Sequence, residues 1–329
     1  MNVDHPFFVV GAPRSGTTML QMALNRHSAI VIPPETAYFT LVTRSKRGQT
    51  LHWKRINKDL RINVNPPERR IHPGVEAAHW FHELRDAYLK SLDRKSETYF
   101  GEKSPEHLRR YRRIIQTFPE AKFILIYRDG RDVALSLTKV PWMPRDLMIG
   151  FELWRHYCQL HNKMVAELGE RVFVVKYEEF VEHPVEQSKK MLSFLGVPFE
   201  EAVPLGTGNV EGIPEFEMSY KQNALAPIFS DSIGRWNKEL SPHQVELLER
   251  FGHRELQDLG YSISEEYQRG ASLLHTSAVA AKCAGWLGIR WVYRLLDEHV
   301  GTRLHTANRT LITSDKISPA MGAGDHEVS

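Results

Sequence analysis

Arg14, Ser15, Thr17 and Thr18 crowd around Gly11 and Gly16 in the stretch Phe7 to Asn25, FFVVGAPRSGTTMLQMALN. A plain structural corner needs only the glycines; a cation and three hydroxyls packed beside them suit the holding of an anion. The flanks show how. Phe7 to Val10 is a short apolar run of buried-strand type, and Gly11 to Gly16 is a tight loop bounded by glycine. From Thr17 onward Met19, Leu20, Ala23 and Leu24 fall on one side of a helix. Strand, glycine loop and helix N-terminus in that order form an anion cradle, because exposed backbone N–H groups and the positive end of the helix dipole point at one place.

The GxxxxG spacing followed by Thr is that of a nucleotide phosphate loop, but Thr17 stands where an NTPase carries its Lys. A loop holding a β,γ-triphosphate with Mg²⁺ wants that Lys, whereas one binding a single phosphosulfate group can use Arg14, Ser15, Thr17 and Thr18 instead. A second cluster follows the apolar run Lys122 to Tyr127, KFILIY, which empties into Arg128-Asp129-Gly130-Arg131-Asp132. An NTPase would show an Asp at the end of that strand, and here Tyr127-Arg128 occupies the place. Glu35 directly follows Pro33-Pro34, Lys103 lies in a polar turn ending Tyr99 to Pro105, and Tyr177 opens the turn Lys176 to Phe180.

The elements that must position these residues alternate. Short strands are expected at Ala29 to Ile32, Tyr99 to Lys103, Lys122 to Tyr127 and Arg171 to Val175, besides the first. Helices are expected over Val75 to Leu92, Glu106 to Phe118, Val133 to Leu137, Asp146 to Leu168, Pro184 to Leu195 and from Ser241-Pro242 to Leu259. Residues 44 to 70 read as basic and irregular, either a solvated surface or a lid that recognises an acceptor. Residues 200 to 232 suit a long loop over the active face. This rhythm implies an α/β fold: a three-layer α/β/α domain with a phosphate loop and a central parallel sheet, over residues 1–265, plus a C-terminal helical extension over 266–329. Ligands bind beyond the carboxyl ends of strands in such sheets. The first loop, Glu35, Lys103, the Arg128 turn and Tyr177 all fall there.

A formal charge of +3 does not by itself call for nucleic acid, and Cys158 and Cys283 are too isolated for a disulfide framework or a zinc site. The first strand begins within six residues of Met1, leaving no room for a signal peptide, and no uncharged apolar run is long enough to span a bilayer. A soluble, cytoplasmic protein is expected. Leu287, Ile289, Trp291, Val292, Leu295 and Leu296 beside Arg290 and Arg294 make the extension amphipathic, ending in a disordered tail. It would pack on the domain or on a second subunit of a homodimer, or lie peripherally on the anionic inner face of a membrane.

Taken together, GAPRSGTT and YRDGRDVALSL make the chain, over about residues 6 to 260, resemble the sulfotransferases that use 3′-phosphoadenosine-5′-phosphosulfate (PAPS). The nearest flavour is the bacterial group similar to tyrosylprotein sulfotransferases. The resemblance implies a 5′-phosphosulfate loop at Arg14, Ser15, Gly16, Thr17 and Thr18, and a 3′-phosphate site at Arg128 and Ser136. It implies Glu35 as the base for the acceptor's proton and Lys103, in KSP, as the cation on the transferring group and bridging oxygen, with Arg14 assisting. Tyr177 would contact the nucleotide, and Arg235, Trp236 and Lys238 match a late segment that closes over the donor. PAPS would be the co-substrate with no metal required, and a hydroxyl (or amine) the acceptor, with carbohydrate, glycolipid or small metabolite favoured and nucleic acid excluded. His27 and His107 lie near these motifs as alternative bases. The rivals are a P-loop kinase or NTPase, and a catalytically idle module of the same fold that binds partners.

Overall fold

Strand β1, Phe7–Gly11, is buried along its whole length and is the middle of the sheet. The computed structural model describes residues 5–42, 44–95, 98–205, 232–264 and 285. Within them the chain runs β1, α1 (Thr17–Leu24), β2 (Ile30–Val31), α2 (Tyr38–Leu41), α3 (Lys46–Leu60), α4 (Val75–Ser91) and β3 (Tyr99–Lys103). A 3-10 segment, Pro105–Arg110, leads into α5 (Tyr111–Thr117), β4 (Lys122–Tyr127), α6 (Gly130–Leu137), α7 (Leu147–Leu168) and β5 (Val172–Lys176). Then come α8 (Tyr177–Glu182), α9 (Pro184–Leu195), α10 (Ala202–Leu205), α11 (Trp236–Glu239) and α12 (Pro242–Asp258).

The five strands are ordered β2-β3-β1-β4-β5, and every pairing is parallel. KFILIY is therefore an interior strand beside the central one. Side-chain alternation divides β1 between two cores. Phe8 and Val10 join Phe123, Leu125, Phe151 and Trp154 on the face covered by α4 to α7 and α12. Phe7 and Val9 meet Leu20, Ala23, Phe180 and Leu192 on the face covered by α1, α8 and α9. Close strand packing explains Gly11, since a Cβ there would lie 2.4 Å from the Ile126 carbonyl oxygen.

Three expectations need correction. The basic stretch after residue 44 is not irregular: α3 fills 15 residues of it, capped by Ser45, whose hydroxyl accepts from Gly48 N–H at 3.3 Å. Its buried stripe, Gln49, His52, Trp53, Ile56 and Leu60, has helical spacing but only three apolar members, so charge masked the pattern. The single helix expected from Glu106 to Phe118 is instead the 3-10 segment followed by α5, because Tyr111 restarts the winding after Arg110 departs from helical geometry (φ −117°, ψ 6°). The loop expected over 200 to 232 begins instead with the short helix Ala202–Leu205. Its residues 206–231, the boundary at 265, Cys283 and, apart from residue 285, the amphipathic extension with its tail lie outside the described residues.

Candidate active site

Because the strands are parallel, their carboxyl ends share one edge. The loop after β1 opens there, flanked by Lys103 at the end of β3 and Arg128 just past β4, with Glu35 after β2 and Tyr177 after β5. The loop's own geometry is specialised. Arg14 and Gly16 both have positive φ, 72° and 101°, and a Cβ on Gly16 would meet Tyr177 Cδ2 at 2.5 Å. Only glycine fits there, and the turn it permits aims the first amides of α1 outward. Ser15 N–H donates to Ala12 O at 3.2 Å, while the Ser15 hydroxyl is buried with no hydrogen-bond partner among the described residues. A buried orphan hydroxyl beside a cradle that a Cβ would fill suits an anionic oxygen.

Around the loop three polar contacts converge. Arg14 Nε donates to Ser136 Oγ on α6 at 3.0 Å. Lys103 Nζ donates to Thr18 Oγ1 on α1 at 3.4 Å and also to Glu35 Oε1. Thr17, the first residue of α1, is buried beneath them. The Lys103 side chain is almost fully buried whereas Glu35 retains 28 % exposure. A carboxylate that solvent can reach thus lies against a shielded ammonium.

Arg128 is set by a dense scaffold. Trp154 Nε1 donates to its carbonyl at 3.1 Å, and a Cβ on Gly130 would strike the Trp154 ring at 2.5 Å, so the indole fixes the turn. The Arg128 guanidinium lies 4.3 Å from the centre of the Tyr177 ring, donates to Asp132 Oδ2 at 3.2 Å and also reaches the Ser232 carbonyl. Asp132 in turn accepts from Gly234 N–H at 2.8 Å and Trp236 N–H at 3.0 Å. Arg131 is bonded to Asp129 and Glu249 and stacks 3.8 Å from the centre of the Trp236 ring.

Of the residues singled out from sequence, the loop residues, Glu35, Lys103 and Ser136 are linked by direct contacts, and Arg128 with Tyr177 forms an adjoining pair. Trp236 is tied to that pair through Asp132, by its backbone. Arg235 forms an i,i+4 ion pair with Glu239 at 2.6 Å, and Lys238 is exposed; among the described residues no hydrogen bond or ion pair joins either to the loop. The two histidines are structural. His107 Nε2 accepts from Phe39 N–H at 3.2 Å, so its ring proton sits on Nδ1, 2.5 Å from Glu102 Oε2. His27 is engaged on both nitrogens, by the Pro198 carbonyl at 2.8 Å and Ala29 N–H at 3.0 Å. Sequence reading missed Asp132 and Glu102. The i,i+4 spacing of Arg128 and Asp132 was the available signal for the first. Glu102, next to Lys103, offered none, since an acid in a short strand gives no hint of complete burial.

The sulfotransferase family profile matches residues 6–201. The chain is 26 % identical over 247 residues to the protein-tyrosine sulfotransferase of Drosophila melanogaster, covering 70 % of this chain and 46 % of that one. It is 25 % identical over 253 residues to protein-tyrosine sulfotransferase 1 of Danio rerio, covering 71 % and 66 %. The chain thus spans about half to two thirds of the length of these relatives. In fold it is similar to the sulfotransferase domain of the curacin biosynthetic pathway (TM-score 0.56, 16 % identity, 79 % of this chain and 99 % of that one). It is likewise similar to the sulfotransferase domain of the Synechococcus PCC 7002 olefin synthase (TM-score 0.55, 20 % identity, 80 % and 98 %). A glycine cradle without the NTPase lysine stands at the mouth of an all-parallel sheet. The chain belongs to the sulfotransferase family.

Proposed function

We propose that the protein transfers a sulfuryl group from PAPS to a hydroxyl-bearing acceptor. The observation that carries this is the contact of Lys103 with both Thr18 of the anion cradle and Glu35. It supports the reading because it sets a cation beside a carboxylate at the mouth of the loop.

Glu35 would take the acceptor's proton as its oxygen attacks sulfur in line. Lys103 with Arg14 and the loop amides would stabilise charge on the sulfuryl oxygens and on the leaving 5′-phosphate. Ser15, Gly16, Thr17 and Thr18 complete the cradle. Arg128, with its forked and permanently charged donors, and the Ser136 hydroxyl would take the 3′-phosphate, with Tyr177 beside the nucleotide. Arg235, Trp236 and Lys238 are the weaker part of this reading, supported by the coupling of the Trp236 backbone to Asp132. The donor set of loop amides, hydroxyls, Arg and Lys supplies the positive field without a metal. Among the described residues no group of acidic, His and Cys side chains gathers as a metal site, and no helix is long and apolar enough to cross a membrane.

The test is calorimetric titration of the full chain with 3′-phosphoadenosine-5′-phosphate (PAP), 5′-AMP and ATP, with and without Mg²⁺. Metal-independent binding that requires the 3′-phosphate supports the reading. Preference for ATP with Mg²⁺ replaces it with a kinase or NTPase. PAP binding without turnover on any of a tyrosyl peptide, an alkyl glycoside and a phenol leaves an idle binding module.

A further inference from the structure

Glu102 and Lys103 are neighbours on β3, so their side chains leave opposite faces of the sheet. Lys103 reaches α1 through Thr18, while Glu102 is completely buried on the other face, under the segment that follows Glu35. Its surroundings are apolar: the ring of its partner His107 packs edge-on against Phe8 and Phe39. A carboxylate in such a place must be fully hydrogen-bonded. Two hydroxyl donors and the His107 ring meet it. Thr36 Oγ1 and Ser104 Oγ each donate to Oε1 at 2.7 Å, and His107 Nδ1 faces Oε2 at 2.5 Å.

Each of these three groups then accepts from a backbone amide of the Glu35 segment. Ser104 Oγ takes Ala37 N–H at 3.0 Å, Thr36 Oγ1 takes Tyr38 N–H at 3.1 Å, and His107 Nε2 takes Phe39 N–H at 3.2 Å. Three consecutive amides, two of them the first of α2, are thus tied to one buried carboxylate through three relays of the same polarity. Ala37, at positive φ of 49°, is held in a conformation that a free chain would leave.

We propose that Glu102 is a positioning residue that, through Thr36, Ser104 and His107, fixes the backbone beginning one residue after Glu35 and so holds that carboxylate against Lys103. This rests on the assignment of Glu35 as the base. The polarity of the relays makes the idea sharp. A Gln at 102 keeps an oxygen for Thr36 and Ser104 but turns an NH₂ toward His107 Nδ1–H. The ring must then move its proton to Nε2, where it opposes Phe39 N–H. His107→Gln, by contrast, offers one donor and one acceptor and can preserve the relay.

The experiment compares Glu102→Gln, Thr36→Val and His107→Gln with the wild-type full chain in three readouts. These are hydrogen exchange at amides 37–39, calorimetric PAP affinity, and PAP released from PAPS with a tyrosyl peptide, an alkyl glycoside and tyramine as acceptors. Glu102→Gln and Thr36→Val should lose protection at amides 37–39 at least tenfold. They should keep PAP affinity within about twofold and lose roughly 10- to 100-fold in kcat, the scale of a misplaced catalytic group. His107→Gln should stay within a few-fold of wild type. Should Glu102→Gln fail to fold, Thr36→Val alone carries the comparison. Wild-type protection at 37–39 in the variants, equal loss across β1 and β4, or parallel loss of PAP affinity and kcat overturns the proposal. Failure of the wild-type chain to bind PAP strikes the functional reading instead, leaving the exchange data to judge the relay.

Discussion

Lys103 and Glu35 stand 68 residues apart in sequence, yet the ammonium of one is bonded to the carboxylate of the other at the mouth of the anion loop. The pairing follows from sheet order: β2 and β3 are neighbours, so residues leaving their carboxyl ends must meet. Glu35→Gln keeps the shape and an acceptor for Lys103 but removes the proposed base. Turnover should fall at least a hundredfold, as expected for loss of general base catalysis, while PAP affinity stays within about twofold. Steady-state kinetics beside calorimetry decides this; turnover close to wild type would remove Glu35 from the mechanism.

Arg128 tests the donor. Its guanidinium is held by the Tyr177 ring and Asp132, and Arg128→Ala removes the proposed charge-assisted contact to the 3′-phosphate. Such a contact contributes about 1.5–3 kcal/mol, which is roughly a tenfold to hundredfold loss in affinity. The loss should appear for PAP and not for 5′-AMP, which lacks the 3′-phosphate. Equal weakening of both nucleotides would place Arg128 elsewhere on the ligand.

Much of this site was legible in the sequence because its signals are local. The loop of Gly11 to Gly16 announces itself by spacing, and KFILIY announces a strand whose end must carry a ligand group. What stayed hidden depends on contacts between distant segments. Glu102 gains its burial from Thr36 and His107, and Glu249 gains its partner from Arg131, neither visible from neighbours in the chain. Helix α3 was missed for a different reason. Its buried face includes Gln49, whose amide bonds to the backbone of Ile71 in both directions, a polar residue doing the packing an apolar one would advertise.

Gly16 offers a test of the cradle's shape. At φ 101°, and with a Cβ bound to meet the Tyr177 ring at 2.5 Å, Gly16→Ala forces either the loop or the ring to move. The left-handed conformation alone costs about 1–2 kcal/mol for a residue with a Cβ. The variant should melt lower than wild type and bind PAP more than tenfold weaker. Unchanged PAP affinity would mean that the loop amides do not touch the donor.

Acid should expose Glu102. Burial alone would raise its carboxyl, but the His107 ring and the hydroxyls of Thr36 and Ser104 outweigh that and hold it below the usual range. The folded protein therefore takes up this proton at lower pH than the unfolded chain does. Its contribution to stability is present above the unfolded value, about 4.3, and is lost as pH falls through the lower folded value. Urea midpoints from pH 7 to pH 3 should show wild type more stable than Glu102→Gln at neutrality, with the gap narrowing below about pH 4. A gap that widened on acidification would reverse the sign of the coupling.

Arg131 anchors the turn that carries Arg128, and it should be worth more to stability than any surface ion pair. Its guanidinium bonds Asp129 at 2.7 Å, meets Glu249 at 2.5 Å and donates to the Ser262 carbonyl at 3.0 Å, all in a buried setting. Arg131→Met would leave two shielded carboxylates without their counter-charge, a loss of about 3–5 kcal/mol. Glu249→Gln removes one charge and keeps an acceptor for the same guanidinium, so it should cost markedly less. By contrast, Lys190→Ala removes the exposed partner of Glu186 and should leave stability almost unchanged. Urea denaturation of the three variants ranks them. If Arg131→Met fell in line with the surface pair, the buried network would not be what holds the Arg128 turn, and Trp154 and Gly130 would have to carry that task alone.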